Sequence, residues 1–197
     1  MIFRMGLKTV ICVLLALLFC AVERVNYLSN AQASAPGSQS DDLESLKAEL
    51  SKYRTWTLVN AEPVLMDPVV AVACAAPNTS APNPHSNKYI RVYVNEAGSR
   101  AMMSEKHPRF PQGSIIVKEK LSEATSRLPE LLTIMVKRNE GYDQGNGDWD
   151  YLVVNGDGSR VERPTDVRSC QACHLAHKES DYVSRIYLPK DVREKLK

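Results

Sequence analysis

Two thiols at i and i+3 followed at once by an imidazole, Cys170-Gln171-Ala172-Cys173-His174, constrain this chain more than any other stretch. Sulfurs at that spacing can both reach the vinyl groups of one porphyrin, while the histidine turns its ring up to the iron; this is the c-type haem attachment pattern. Thioether bonds hold a porphyrin even in a shallow pocket, so a small domain can carry haem c with one coordination position open. The alternative is a zinc or redox CxxC with a chance histidine, and zinc would need further ligands at matching spacing. His177, Cys74, His85 and His107 remain, and none forms a second pair.

The start of the chain supports the same reading. Arg4 and Lys8 precede an uncharged apolar run of 14 residues from Thr9 to Val22. A bilayer span takes about 20 residues, so this run suits a secretory leader, with Ala31-Gln32-Ala33 or Ala33-Ser34-Ala35 as a small-residue cleavage site. The long stretch from Glu23 to Asn30 keeps an uncleaved anchor open as the alternative. The expectation is a leader over 1–33, a linker and N-terminal helix over 34–52, and one haem domain over 53–197, located in the periplasm.

Cysteine and charge arithmetic narrow the choice further. Cys12 and Cys20 fall in the leader, Cys170 and Cys173 are assigned to haem, and Cys74 is left over as a buried thiol, so no disulfide framework is expected. Removing 1–33 takes away Arg4, Lys8, Arg24 and Glu23, which leaves 22 basic and 22 acidic side chains. A balance near zero argues against nucleic acid as partner.

After a polar linker, Ser40 is expected to cap a helix with Asp41, Asp42 and Glu44 in its first turn and Leu43, Leu46, Leu50 and Tyr53 as its apolar stripe. That stripe packs across the domain or on a second subunit. Prolines 63, 68, 77, 82 and 84 then break the chain, and His85 lies in the irregular loop they make, as a pocket residue, a ligand or a surface histidine. Alternation predicts strands over Tyr89–Val94, Ser114–Leu121, Leu131–Arg138 and Trp149–Val154, with a fifth edge strand over Tyr182–Leu188. Short helices are expected near Ala97 and over the haem motif through Ala176. The fold class is α+β, a mostly antiparallel β-sheet with a few helices around a single haem.

That pattern separates the chain from two familiar small cytochromes. All-helical carriers place the motif early with a methionine ligand far downstream, whereas only 23 residues follow His174 here and none is methionine. Four-helix bundles lack the strand-rich middle. The chain resembles the cytochrome P-460 family, which includes the cytochromes c′-beta, through an ordered set of blocks. These are Tyr53-Arg54-x-Trp56, Val92-Tyr93-Val94-Asn95, Phe110-Pro111-x-Gly113-Ser114-Ile115-Ile116-Val117-Lys118-Glu119, Met135-Val136-Lys137-Arg138, Gly147-Asp148-Trp149-Asp150-Tyr151, Ser169 to His174, and Asp181-Tyr182-Val183. The resemblance covers roughly Tyr53 to Tyr187.

The resemblance implies a periplasmic homodimer with a five-coordinate haem whose proximal ligand is His174. It also implies a small nitrogen ligand, hydroxylamine in the oxidising members and nitric oxide in the c′-beta members, and an external redox carrier. A lysine bonded to the porphyrin in the enzymes has Lys106, Lys118 and Lys120 as candidates. Glu119 or Glu105 is the candidate for a distal proton acceptor, Glu119 on condition that its strand face turns to haem. Phe110 is the candidate for an aromatic cap over the iron. Plain electron transfer would need a sixth ligand from Met102, Met103, Met135, His85 or His107.

Overall fold

The computed structural model describes residues 39–73, 83 and 85–196. The leader and Cys74 lie outside them. The chain divides into two compact units, 1–42 and 43–197, and the second holds the sheet and the site.

Seven strands form one antiparallel sheet: β1 (Thr57–Leu58), β2 (Val64–Leu65), β3 (Tyr89–Val94), β4 (Ile115–Leu121), β5 (Leu131–Lys137), β6 (Trp149–Asn155) and β7 (Val161–Glu162). The order is β1-β3-β4-β5-β6-β7, with β2 beside β1 on the outer edge of β3. Asn60 bridges the gap between the two short strands: its amide donates to the carbonyls of Glu62 and Ile90 and accepts from Val92 N–H, so a buried polar side chain replaces missing ladder bonds. The four predicted central strands are present to within one residue at either end.

Among the described residues five helices accompany the sheet: α1 (Gln39–Leu50), α2 (Pro68–Ala73), α3 (Glu96–Ser104), α4 (Val167–Leu175) and α5 (Lys190–Lys195). Helix α1 begins before Ser40, which is therefore inside it and is not its cap. Asn95 caps α3 by accepting from Gly98 N–H, a contact worth about 1 kcal/mol. Gly98 is required there, since a Cβ would sit 2.8 Å from Val94 Cγ2 and against Ser114.

Period-two alternation gives the sheet two buried faces. One carries Ile90, Val92, Val94, Ile116, Met135, Trp149 and Tyr151, covered by Ala101 and Met102 of α3 and by Tyr182, Val183, Tyr187 and Leu188. The other carries Tyr93, Ile115, Val117, Leu132, Ile134, Val136, Leu152 and Val154, covered by Leu46 and Leu50 of α1. Each leucine buried in this way contributes roughly 1.5–3 kcal/mol. The α1 stripe is thus buried against its own sheet.

The expected edge strand over Tyr182–Leu188 is absent. Asp181 and Tyr182 have φ of 54° and 63°, a left-handed pair that cannot enter an extended run, and Val183 N–H returns to Ser180. The apolar side chains that suggested a strand are buried from irregular backbone instead.

Candidate haem site

Helix α4 carries the motif and ends with it. Asp166 caps it by accepting from Arg168 N–H, and the chain leaves the helix at Ala176, one residue beyond Leu175. Gln171, inside the motif, donates to Asp143 Oδ2 at 2.9 Å, while Asn146 binds the same carboxylate. The loop before β6 therefore fixes how the helix is rolled.

His174 is set by a backbone atom. Its Nδ1 lies 2.7 Å from the carbonyl oxygen of Tyr182. A carbonyl only accepts, so Nδ1 carries the proton and the lone pair is left on Nε2, the atom a metal would take. Burial, with Lys118 nearby, pushes the imidazole down to about 4, which keeps it neutral. The Tyr182 carbonyl is itself held in place from several sides. Asp181 accepts from Phe110 N–H at 2.8 Å and from Lys137 Nζ at 2.7 Å, and its carbonyl accepts from Trp149 Nε1 at 2.7 Å. Tyr182 Oη donates to Gly145 O, and its ring lies against Gly147, where a Cβ would come within 2.6 Å.

A cavity of about 880 Å³, counting the space open at its mouth, lies between α4 and the first sheet face. Ile116, Met135, Tyr151, Ile186 and Tyr187 give it apolar walls, and its chemistry comes from His85, Lys118, Cys170, Cys173, His174 and His177. Neither Lys118 nor Lys120 has a carboxylate within ion-pair distance among the described residues. Lys118 Nζ sits 5.4 Å over the ring of Tyr187, and burial pulls its ammonium down to about 8. Lys120 is 1% exposed and bonds Nδ1 of His85 at 2.9 Å.

The register decides among the sequence candidates. Lys118 and Lys120 share the cavity face of β4; Lys106 is exposed beyond α3 and does not line the cavity. Glu119 points through the opposite face, so the condition attached to it as a proton acceptor fails. Its carboxylate accepts from Tyr53 Oη at 2.6 Å and Arg54 Nε at 2.9 Å, with Arg91 at 3.6 Å. Glu105 is also outside the cavity, paired with Arg100 at 3.3 Å. Phe110 is no cap: it is buried edge-on against Trp149, centroids 5.5 Å apart. Of the five possible sixth ligands, His85 and Met135 line the cavity; Met102 is core, and Met103 and His107 lie elsewhere.

The residues present fit haem c. A porphyrin brings an apolar macrocycle, two carboxylates and an iron that wants a neutral imidazole; the cavity brings apolar walls, unpaired cations and His174 with Nε2 available. Among the described residues no three or more His, Cys, Asp or Glu side chains are placed to hold a metal ion by themselves. The expected lack of disulfides needs correction. Cys170 is a free thiol, but Cys173 is disulfide-bonded, and the other cysteines all lie outside the described residues. A sulfur in a disulfide has no S–H to add across a vinyl group, so thioether formation at Cys173 would require this bond to be reduced first.

Sequence reasoning missed the Tyr182 carbonyl, Asp181 and the His85–Lys120 contact. A backbone acceptor leaves no residue signal, and His85 and Lys120 are 35 residues apart. Among curated proteins, none matches the chain. The Cytochrome P460 family model matches residues 51–185, which span the whole sheet, the motif and the Asp181–Tyr182 turn. With the haem-binding helix, the cavity and that match in agreement, the chain belongs to the cytochrome P460 family and is a c-type haem cytochrome.

Proposed function

We propose that this cytochrome acts in the periplasm, binds small nitrogen species at an open iron position and oxidises them, hydroxylamine foremost, passing electrons to an external redox carrier. The observation that carries the reading is Lys118. Of three candidate lysines it alone lines the cavity that holds Cys170, Cys173 and His174, and no carboxylate neutralises it among the described residues. On this reading it is the residue that would form the lysine–porphyrin bond implied by the resemblance to the family's enzymes. Exposed Val64, Leu65, Val69 and Val72 on β2 and α2 offer an apolar patch for a homodimer.

When bound, haem supplies an iron that takes the nitrogen ligand and accepts its electrons one at a time. The chain's own residues do the rest. His174 presents Nε2 because Tyr182 holds its other nitrogen. Met135, Ile186 and Tyr187 exclude water, which strengthens every polar contact made inside. The test is stopped-flow mixing of the haem-bearing protein with hydroxylamine and an oxidant. Electrons delivered beyond one equivalent per haem, together with a ferrous Soret band well to the red of ordinary c-type spectra, support oxidation.

A second reading, nitric oxide capture without turnover, draws support from one observation: no carboxylate lines the cavity among the described residues. An oxidase must accept protons from its substrate, and a nitric oxide binder need not. Delivery of no more than one electron equivalent would favour it.

A further inference from the structure

We propose that His85 is a hydrogen-bond donor into the cavity, held in its Nε2–H form by Lys120, and that it favours anionic iron ligands and cannot itself serve as the sixth ligand. The inference rests on the haem reading above.

Lys120 Nζ lies 2.9 Å from His85 Nδ1. An ammonium has three donors and no lone pair, so Nδ1 must accept, and a neutral imidazole that accepts at one nitrogen carries its proton on the other. Should the lysine shed a proton, the amine still has two N–H groups to offer the same acceptor. Lys120 cannot easily move: it is 1% exposed in the middle of the sheet, in register between Ile90 and Leu131. The loop is fixed as well. His85 N–H donates to Asn83 Oδ1, and Asn83 Nδ2 donates to Ala71 O in α2. Burial and the charges of Lys120 and Lys118 keep the imidazole neutral, down to about 3.

A nitrogen that carries a proton has no lone pair for iron. Moving that proton to Nδ1 would aim an N–H at the lysine ammonium, which has no lone pair to accept it, and lose the bond. His85 therefore faces the cavity as a donor. Lys118 also lines the cavity and donates, beside the hydroxyls of Thr133, Tyr151, Ser184 and Tyr187 and the ring of His177, and no carboxylate opposes them among the described residues. A cavity furnished with donors stabilises a ligand that bears negative charge beside the metal, such as azide, nitrite or fluoride, over a neutral base of similar size.

The experiment uses the full haem-bearing chain and its His85→Leu, His85→Gln and Lys120→Met variants. Ferric protein is titrated with fluoride and azide, and with imidazole as the neutral control. A hydrogen bond to a charged group corresponds to a loss of about tenfold or more on removal. His85→Leu should weaken both anions by about that factor and leave imidazole unchanged, while His85→Gln, which keeps an N–H, should retain most of the affinity. Lys120→Met should fall between them. Two-bond 1H–15N spectra of the diamagnetic ferrous carbonyl form should place the His85 proton on Nε2. A proton on Nδ1, or a low-spin resting spectrum that turns high-spin in His85→Leu, overturns the proposal. A colourless protein would count against the haem reading alone, and the same spectrum of the apo chain would still decide the His85 tautomer.

Discussion

Three consecutive residues of β4 place charge on opposite faces of one sheet, and the two faces treat it differently. Glu119 is fully buried on the α1 side and surrounded by Tyr53, Arg54 and Arg91. Lys118 and Lys120, on the cavity side, meet no carboxylate among the described residues; one lies against Tyr187 and the other against His85. An enclosed charge that has its counter-ion is part of the scaffold. Cations left without one are costly to the empty protein and are kept where an occupant completes them. The difference supports the cavity face as the one the proposed function uses.

The largest effect expected from breaking this contrast is at Arg54. Arg54→Met would leave the Glu119 carboxylate buried with Arg91 3.6 Å away and Tyr53 as its remaining donor. Loss of one partner of such a pair costs about 3 kcal/mol, discounted because Arg54 itself is 44% exposed. Urea unfolding should show the loss, and the haem spectrum should not change.

Asp181 sharpens the comparison, because it is a compensated acid on the cavity side. Asp181→Asn removes the charge that holds Lys137 and should cost about 2 kcal/mol. Unlike Arg54→Met, it should also loosen the turn that offers the Tyr182 carbonyl to His174. Resonance Raman on the ferrous protein should show a shifted or broadened iron–histidine stretch, and an unchanged stretch would confine Asp181 to stability.

Lys118→Met should do the reverse. The apo chain should keep its stability to within about 1 kcal/mol or gain slightly, since a half-buried charge with no carboxylate beside it among the described residues is removed. The haem-bearing protein should change from a red-shifted ferrous Soret to that of an ordinary c-type cytochrome.

The remaining expectation is a pH dependence. Burial beside Lys118 and Lys88, with Cys170 opposing, lowers the folded Lys120 ammonium to about 7, with neutral His85 in contact. Between about 7 and the ordinary lysine value near 10.4 the unfolded chain binds more protons than the folded one, so stability rises with pH across that window. Thermal melts of the apo chain should show the rise, and Lys120→Met should reduce it.

Much of this was readable from residues alone. The central strands followed from strict alternation, and the haem helix from spacing that few chemistries share. The faces were not readable: alternation puts Lys118 and Glu119 on opposite sides but does not say which side holds the cavity. That depends on where α1 and the segment after α4 pack. Tyr182–Leu188 misled because its apolar residues are buried from a left-handed turn, and Phe110 because an aromatic that packs on Trp149 has the same sequence signal as one over a metal.

The proposed function requires one haem bound covalently through Cys170 and Cys173, with His174 as its ligand. Intact mass spectrometry of the chain, coexpressed with a cytochrome c maturation system and denatured beforehand, reads this out. The expected mass is the processed polypeptide plus one haem, with Cys170→Ala and Cys173→Ala each leaving a single thioether at most. The mass of the bare polypeptide, from colourless protein, would overturn it.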